Sequence, residues 1–309
     1  MDFLLWSAIL VAALAVLIKG ADVFVDQAAR IATVLGVSHA LVGVTLVALG
    51  TSLPELAASI FSVVQGSGEF VAGTVYGSNV ANLCLIMGTA ALAFKGFKVN
   101  GQMIALDLPV LILAALVLGL VSLDHRVSLV EGLFLLAMYV LYLAHCAHQS
   151  LNDDIEGEGR LRAKHLLLLL LGGAAVYFGA QYTVKAVQRL SALLGFADTS
   201  VLALSVVAVG SSLPELVVTL SAARKRYYDM SLGNVVGSNI CNSFLVMGVP
   251  AMIQPLPVSQ AVFTTGLPYM IAASLVFLPL AAQGEIRRTA GLFLLLLFGL
   301  FLATLFGLA

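Results

Sequence analysis

Gly50-Thr51-Ser52-Leu53-Pro54-Glu55-Leu56 and Gly210-Ser211-Ser212-Leu213-Pro214-Glu215-Leu216 are one motif written twice, each inside a long apolar stretch. The second copy stands 160 residues after the first. A second pair keeps the same offset: Gly77-Ser78-Asn79-Val80-Ala81-Asn82 and Gly237-Ser238-Asn239-Ile240-Cys241-Asn242, running on to Met87-Gly88 and Met247-Gly248. Upstream, Gly20-Ala21 and Leu35-Gly36 match Gly179-Ala180 and Leu194-Gly195 at an offset of 159. Two motifs at one offset, in one order, mark a duplication with a single residue gained or lost between the copies.

Composition gives the surroundings. The chain has 309 residues, 61% hydrophobic and only 10% charged. A soluble domain carries roughly 25% charged residues, so this composition suits a surface facing hydrocarbon and names the lipid bilayer as a partner. The formal net charge is −1, and there is no Lys/Arg-rich run of the kind that binds nucleic acid. Cys84, Cys146 and Cys241 read as small packing residues, not as a disulfide framework. The first twenty residues are apolar without a basic n-region, which predicts a retained first helix and not a cleaved signal.

A membrane helix needs about 20 mostly apolar residues. Such segments occur at 3–30, 39–65, 70–94, 103–122, 127–147, 165–194, 198–223, 230–253, 261–282 and 287–308. The chain therefore reads as an all-α membrane protein of about ten transmembrane helices in two inverted five-helix repeats, 1–147 and 165–309, joined by a polar cytoplasmic linker at 148–164. The first and sixth segments are long enough to tilt and run past the bilayer. Lys98, Arg160, Arg162, Arg224, Lys225 and Arg287 fall at one set of segment ends, and Arg126, Lys185 and Arg189 at the other. The positive-inside rule makes the first set cytoplasmic and both termini non-cytoplasmic, in a multi-pass protein of the plasma (inner) membrane. Lys19 is the one cation inside a span and is expected within the bundle.

The copies lie five spans apart, an odd number, so they cross the membrane in opposite directions. Inverted repeats of this kind recur in secondary transporters, whose sites lie where the repeats meet. Glu55 and Glu215 each sit deep in an apolar span, where a carboxylate costs about 2.5–3.5 kcal/mol. A bound cation is the simplest partner, and protonation is the other. Pro54 and Pro214 withhold a donor from the carbonyls four residues back, which predicts a broken helix with free carbonyl oxygens at each site. Thr51, Ser52 and Ser59 share a helix face with Glu55, as Ser211, Ser212 and Thr219 do with Glu215. Ser78 and Asn82, and likewise Ser238 and Asn242, are four apart. Hard oxygen ligands of this kind select Na+, Ca2+ or Mg2+ over Zn2+ or Cu+. No nucleophile–base pair or metal-ligand His motif accompanies the symmetric Glu motifs, so no enzymatic activity and no cofactor is expected.

These motifs resemble the alpha-repeats of the sodium/calcium exchanger family, within the cation/calcium antiporter superfamily, and in particular its prokaryotic-type members. The resemblance implies a secondary active antiporter that exchanges Ca2+ for Na+ by alternating access. Glu55 and Glu215 would then be the main ligands for both transported ions. Thr51, Ser52, Ser211 and Ser212 would complete the sites, Ala48 and Ala208 would offer carbonyls, and Ser78, Asn82, Ser238 and Asn242 would line Na+ or water positions. It also implies that the first and sixth helices slide over a fixed core. Many relatives carry an acidic residue at the position of Asn82 or Asn242. Asn at both leaves two carboxylates, which leaves the Na+ stoichiometry open and weighs against the alternative, an H+-coupled exchanger of Ca2+ or other divalent cations.

Overall fold

The computed structural model describes residues 2–94, 96–101, 103–150, 157–193 and 210–307, with the backbone alone for 149 and 150. The start of the seventh predicted span, Ala208 and the acidic residues Asp153, Asp154 and Glu156 of the linker lie outside these. The helices are α1 (Asp2–Leu35), α2 (His39–Val64), α3 (Glu69–Ala93), α4 (Met103–Val121), α5 (Leu129–His148), α6 (Ala163–Leu193), α7 (Leu213–Arg224), α8 (Tyr228–Ile253), α9 (Val262–Ala282) and α10 (Arg288–Leu305). All but α7 are long and apolar enough, among the described residues, to cross a membrane. The protein is an integral, multi-pass membrane protein. At 1.5 Å per residue α1 is about 50 Å long against a hydrocarbon core of about 30 Å, as its sequence predicts. Local signals set the helix ends. Ser38 accepts from Leu41 N at 3.1 Å to cap α2. Ser128 and Glu131 form a capping box before α5, with Ser128 N donating to Glu131 Oε2 at 2.7 Å and Glu131 N to Ser128 Oγ at 3.4 Å.

The inversion is visible in four short strands. β1 (Phe97–Lys98), between α3 and α4, pairs antiparallel with β4 (Glu285–Ile286), between α9 and α10. β2 (Arg126–Val127), between α4 and α5, pairs with β3 (Leu256–Pro257), between α8 and α9. Phe97 and Pro257 are repeat equivalents, as are Arg126 and Ile286, so exchanging the halves carries one ladder onto the other at the opposite end of the bundle. A pseudo-two-fold axis in the membrane plane has this effect.

The helices divide into two packed bodies. A large core joins α3, α4, α5, α8, α9 and α10. A second cluster joins Leu17, Phe24 and Val25 of α1 with Leu169, Val176 and Ala180 of α6, and reaches Val218 and Ala222 of α7. Glycines let α1 and α6 approach closely: a Cβ on Gly179 would stand 2.7 Å from Leu17 Cα. Small residues serve this purpose in membranes, where the lipid itself is apolar. Lys19 is exposed on the outside of α1 and not inside the bundle, because its long aliphatic stem can carry the ammonium away from hydrocarbon.

Helix irregularities also follow the repeats. π-helical turns occupy Ala81–Ile86 in α3 and Asn242–Val246 in α8, and open α4 at Met103–Asp107 and α9 at Val262–Gly266. A further one lies at Gly43–Val47 in α2. The helix break expected at Pro54 is not there: the α-helical part of α2 runs from Ala48 to Val64 with Pro54 inside it. Proline withdraws only the one bond to the Gly50 carbonyl, and the remaining bonds carry the helix through it. In the second copy the break does occur, at Ser212, and Pro214 sits in the first turn of α7.

Candidate ion-binding site

α2, α3, α7 and α8 bring the two motif pairs together inside the bundle. Glu55 and Glu215 are 3% and 1% exposed, a burial that carboxylates tolerate only with compensation. Each stands within the other's electrostatic field, and Glu215 also lies beside the hydroxyls of Thr51 and Ser52 on the opposite repeat. Thr51, Ser52, Ser59, Ser78, Asn82, Ser212, Thr219, Ser238 and Asn242 are all buried, and Ser211 is half-buried. The α-helical periodicity that aligned these residues in sequence thus forms a polar seam between the repeats.

Hydrogen bonds cross that seam. Thr51 Oγ1 lies 3.1 Å from Asn234 Oδ1 and 3.3 Å from Ser238 Oγ, and 3.2 Å from the Ala48 carbonyl. Ser78 and Ser211 hydroxyls are 3.3 Å apart. Asn79 donates to Ser243 Oγ at 2.9 Å, and Asn239 donates to the Asn79 carbonyl at 3.1 Å, clasping α3 to α8 where they cross.

Other polar atoms in the seam have no protein partner among the described residues. They are both carboxylate oxygens of Glu55 and of Glu215, the hydroxyls of Ser52 and Ser212, both side-chain polar atoms of Asn82 and of Asn242, and the side-chain oxygens of Asn79 and Asn239. Among the described residues, the only such buried atom outside α2, α3, α7 and α8 and the Ser212 cap of α7 is Tyr139 Oη. Buried polar groups are normally satisfied, so a cluster of unsatisfied oxygens marks a place built for something the chain does not itself supply. Among the described residues no Lys or Arg forms an ion pair with either Glu. Asp107, another buried acid, is accounted for separately: it accepts from Tyr142 Oη at 2.8 Å.

The two ends of the site differ. Among the described residues, Pro214, Ser211, Gln181, Lys185 and Arg189 line a cavity of about 600 Å³ that reaches Glu55. At the opposite end α1 is tied to α7. Asp22 accepts from Arg224 at 2.6 Å and from Ser221 Oγ at 2.6 Å, and Asp26 pairs with Lys225 at 2.6 Å.

Every residue expected at the site lies in this seam except Ala208, which is outside the described residues. Sequence reading passed over Asn234, and also Cys241, whose thiol lies beside Ser52 and near both carboxylates. Matching identical residues between the repeats hides both, since their repeat equivalents are Thr74 and Ala81.

The family model for the sodium/calcium exchanger protein matches residues 5–147 and 164–307. The chain is 38% identical to the sodium/calcium exchanger MaX1 of Methanosarcina acetivorans, over 96% of this chain and 97% of that one. It is 30% identical to the inner membrane protein YrbG of Escherichia coli, over 89% of this chain and 88% of that one. Among solved structures it is similar to the sodium-calcium exchanger NCX_Mj soaked with 10 mM Na+ and zero Ca2+, with a TM-score of 0.87 at 27% identity, covering 98% of this chain and 99% of that one.

Proposed function

The chain belongs to the sodium/calcium exchanger protein family, and from that premise we propose that it exchanges Ca2+ for Na+ across the membrane by alternating access, with Glu55 and Glu215 as the shared ligands. The observation that carries this reading is the pair of buried carboxylates, one from each inverted repeat, with no basic side chain among the described residues paired to either. Two carboxylates balance one Ca2+, and the same two charges can hold monovalent ions instead. Competition for a single pair of acids couples the two fluxes without a second pathway.

The other ligands follow from the unsatisfied atoms. Ca2+ takes about 6–8 oxygens in a flexible shell. Ser52, Ser212 and the side-chain carbonyls of Asn82 and Asn242 add oxygens to the four of the carboxylates. Thr51, Ser78, Ser211 and Ser238, with the carbonyls of Ala48 and Ala208, complete the Na+ and Ca2+ positions. The chemistry is exchange of an ion's water shell for protein oxygens and back, and makes or breaks no covalent bond.

Among the described residues, access is one-sided in this conformation. The cavity opens at the Lys185 and Arg189 end, while ion pairs hold α1 against α7 at the Arg224 end. The positive-inside rule puts the Arg224 end in the cytoplasm, so the open face is non-cytoplasmic, and both termini share it. The second body, α1 with α6, is the element that moves between the two access states. Uptake of radioactive Ca2+ into proteoliposomes under imposed Na+ or H+ gradients tests the whole reading. An outward-directed Na+ gradient drives uptake; uptake driven by a pH gradient alone would reject Na+ coupling.

A further inference from the structure

The repeat symmetry fails at one fully buried residue next to the proposed ligands. Asn234 of α8 is 0% exposed, and its repeat equivalent is Thr74 of α3. The Asn234 amide nitrogen donates to Thr219 Oγ1 at 2.9 Å and to the main-chain carbonyl of Glu215 at 3.3 Å. Thr74 does neither, and its hydroxyl donates to the Phe70 carbonyl of its own helix at 2.8 Å.

The Glu215 carbonyl can only accept, so it fixes which end of the Asn234 amide faces α7. The amide oxygen must then face α2, where it accepts from Thr51 Oγ1 at 3.1 Å. A hydroxyl has one proton and two lone pairs. Once the Thr51 proton is committed to Asn234, the Ser238 hydroxyl 3.3 Å away can bond to Thr51 only as the donor. The Ala48 carbonyl, 3.2 Å away on the same helix, is the other acceptor within reach of that proton; with the proton on Asn234, Thr51 Oγ1 keeps one lone pair free.

We propose that Asn234 is a positioning residue that presents the Thr51 oxygen to the cation as an acceptor and anchors the main chain of Glu215 behind it. The proposal rests on the reading of Thr51 and Glu215 as ligands. It makes the two halves of the site unequal. The hydroxyl of Thr51 is held in a ligating orientation before the ion arrives, whereas Ser211, its repeat equivalent, faces the hydroxyl of Ser78 and has Thr74 where Thr51 has Asn234.

Asn234→Thr, which copies the other repeat, tests this in the purified full-length protein. Ca2+ titration of the melting temperature reports binding even in a variant that no longer transports. The half-saturating Ca2+ concentration is expected to rise about tenfold, the size of one lost hydrogen bond to the ligand shell. In Thr51→Ala the same substitution should add less than twofold, because the residue it orients is gone. Half-saturation unchanged in Asn234→Thr, or a full tenfold added on top of Thr51→Ala, overturns the proposal. If Asn234→Thr is not recovered folded, Thr219→Val releases one of the two amide hydrogens and must shift the same constant upward; no shift overturns the proposal equally. Glu55→Gln separates the levels. Should it bind Ca2+ like wild type, the ion site itself is misplaced; should it lose binding while Asn234→Thr does not, only the role of Asn234 fails.

Discussion

Val218 and Ala58 occupy equivalent positions in the two repeats, yet Val218 is fully buried beneath α1 whereas Ala58 is exposed on the cavity beside α6. The same helix contact is closed at one end of the molecule and open at the other. The closed end carries the Asp22–Arg224 and Asp26–Lys225 pairs. The equivalents of Asp22 and Asp26 are Gln181 and Lys185, which line the open cavity instead.

Thiol labelling should follow that asymmetry. Cys84, Cys146 and Cys241 are buried, so a cysteine placed at position 58 reacts with a membrane-impermeant reagent from the Lys185 side, and one at position 218 is protected from both sides. Combining Asp22→Asn and Asp26→Asn with Val218→Cys should raise labelling from the Arg224 side severalfold. Partly exposed ion pairs are worth up to about 1 kcal/mol each, which sets the scale of the population shift. Unchanged protection would show that apolar packing alone keeps that end shut.

Neutralising either acid should separate stability from transport. Glu55→Gln and Glu215→Gln are expected to abolish Na+-driven Ca2+ uptake in proteoliposomes. In chelator, each should melt at or above the temperature of wild type, because one of two mutually repelling buried charges is removed. Adding Ca2+ should raise the melting temperature of wild type by mass action and leave both variants unmoved. Transport retained in either variant would remove that residue from the site.

A third carboxylate should change the exchange ratio. Asn242→Asp adds a negative charge among the unsatisfied oxygens of α8. Ca2+ half-saturation should fall, and the cooperativity of Na+ dependence should rise by about one ion, since charge balance then admits one more monovalent cation. The reversal potential of exchange across a voltage-clamped liposome membrane measures this, and the variant should differ from wild type.

Glycines in the helix contacts should tolerate substitution very unequally. A Cβ on Gly248 would lie 3.0 Å from the Gly132 carbonyl oxygen, and one on Gly88 would lie 3.0 Å from that of Gly291. Gly248→Val and Gly88→Val should each cost about 1–3 kcal/mol by overpacking. Gly299 has no atom within 4 Å of such a carbon, so Gly299→Ala should be neutral or stabilising by up to about 1 kcal/mol from helix propensity. Chemical unfolding in detergent ranks the three.

The duplicated motifs made the span layout, the inversion and the Glu55–Glu215 pairing legible before any coordinates, because apolar length and an offset of 160 are properties of the chain alone. Three features were not legible. Pro54 read as a helix breaker, but the α-helix runs through it from Ala48 to Val64, and the irregularity is a π-helical turn at Gly43–Val47 that nothing in the residue types announces. Lys19 read as a buried cation, because a span says nothing of which side of a helix faces lipid. Asn234 was invisible because it departs from the repeat, and its importance lies in contacts to residues 15, 19 and 183 positions away.

The exchanged strand pairings bear on biogenesis. β1 emerges from the ribosome long before β4, and β2 long before β3, so neither five-helix half can finish its own turns alone. Gly88 and Gly132 likewise wait for Gly291 and Gly248. The early half must persist in the bilayer with its mating surfaces uncovered until translation ends, and assembly is a docking of two inserted pieces, not a stepwise accretion of hairpins.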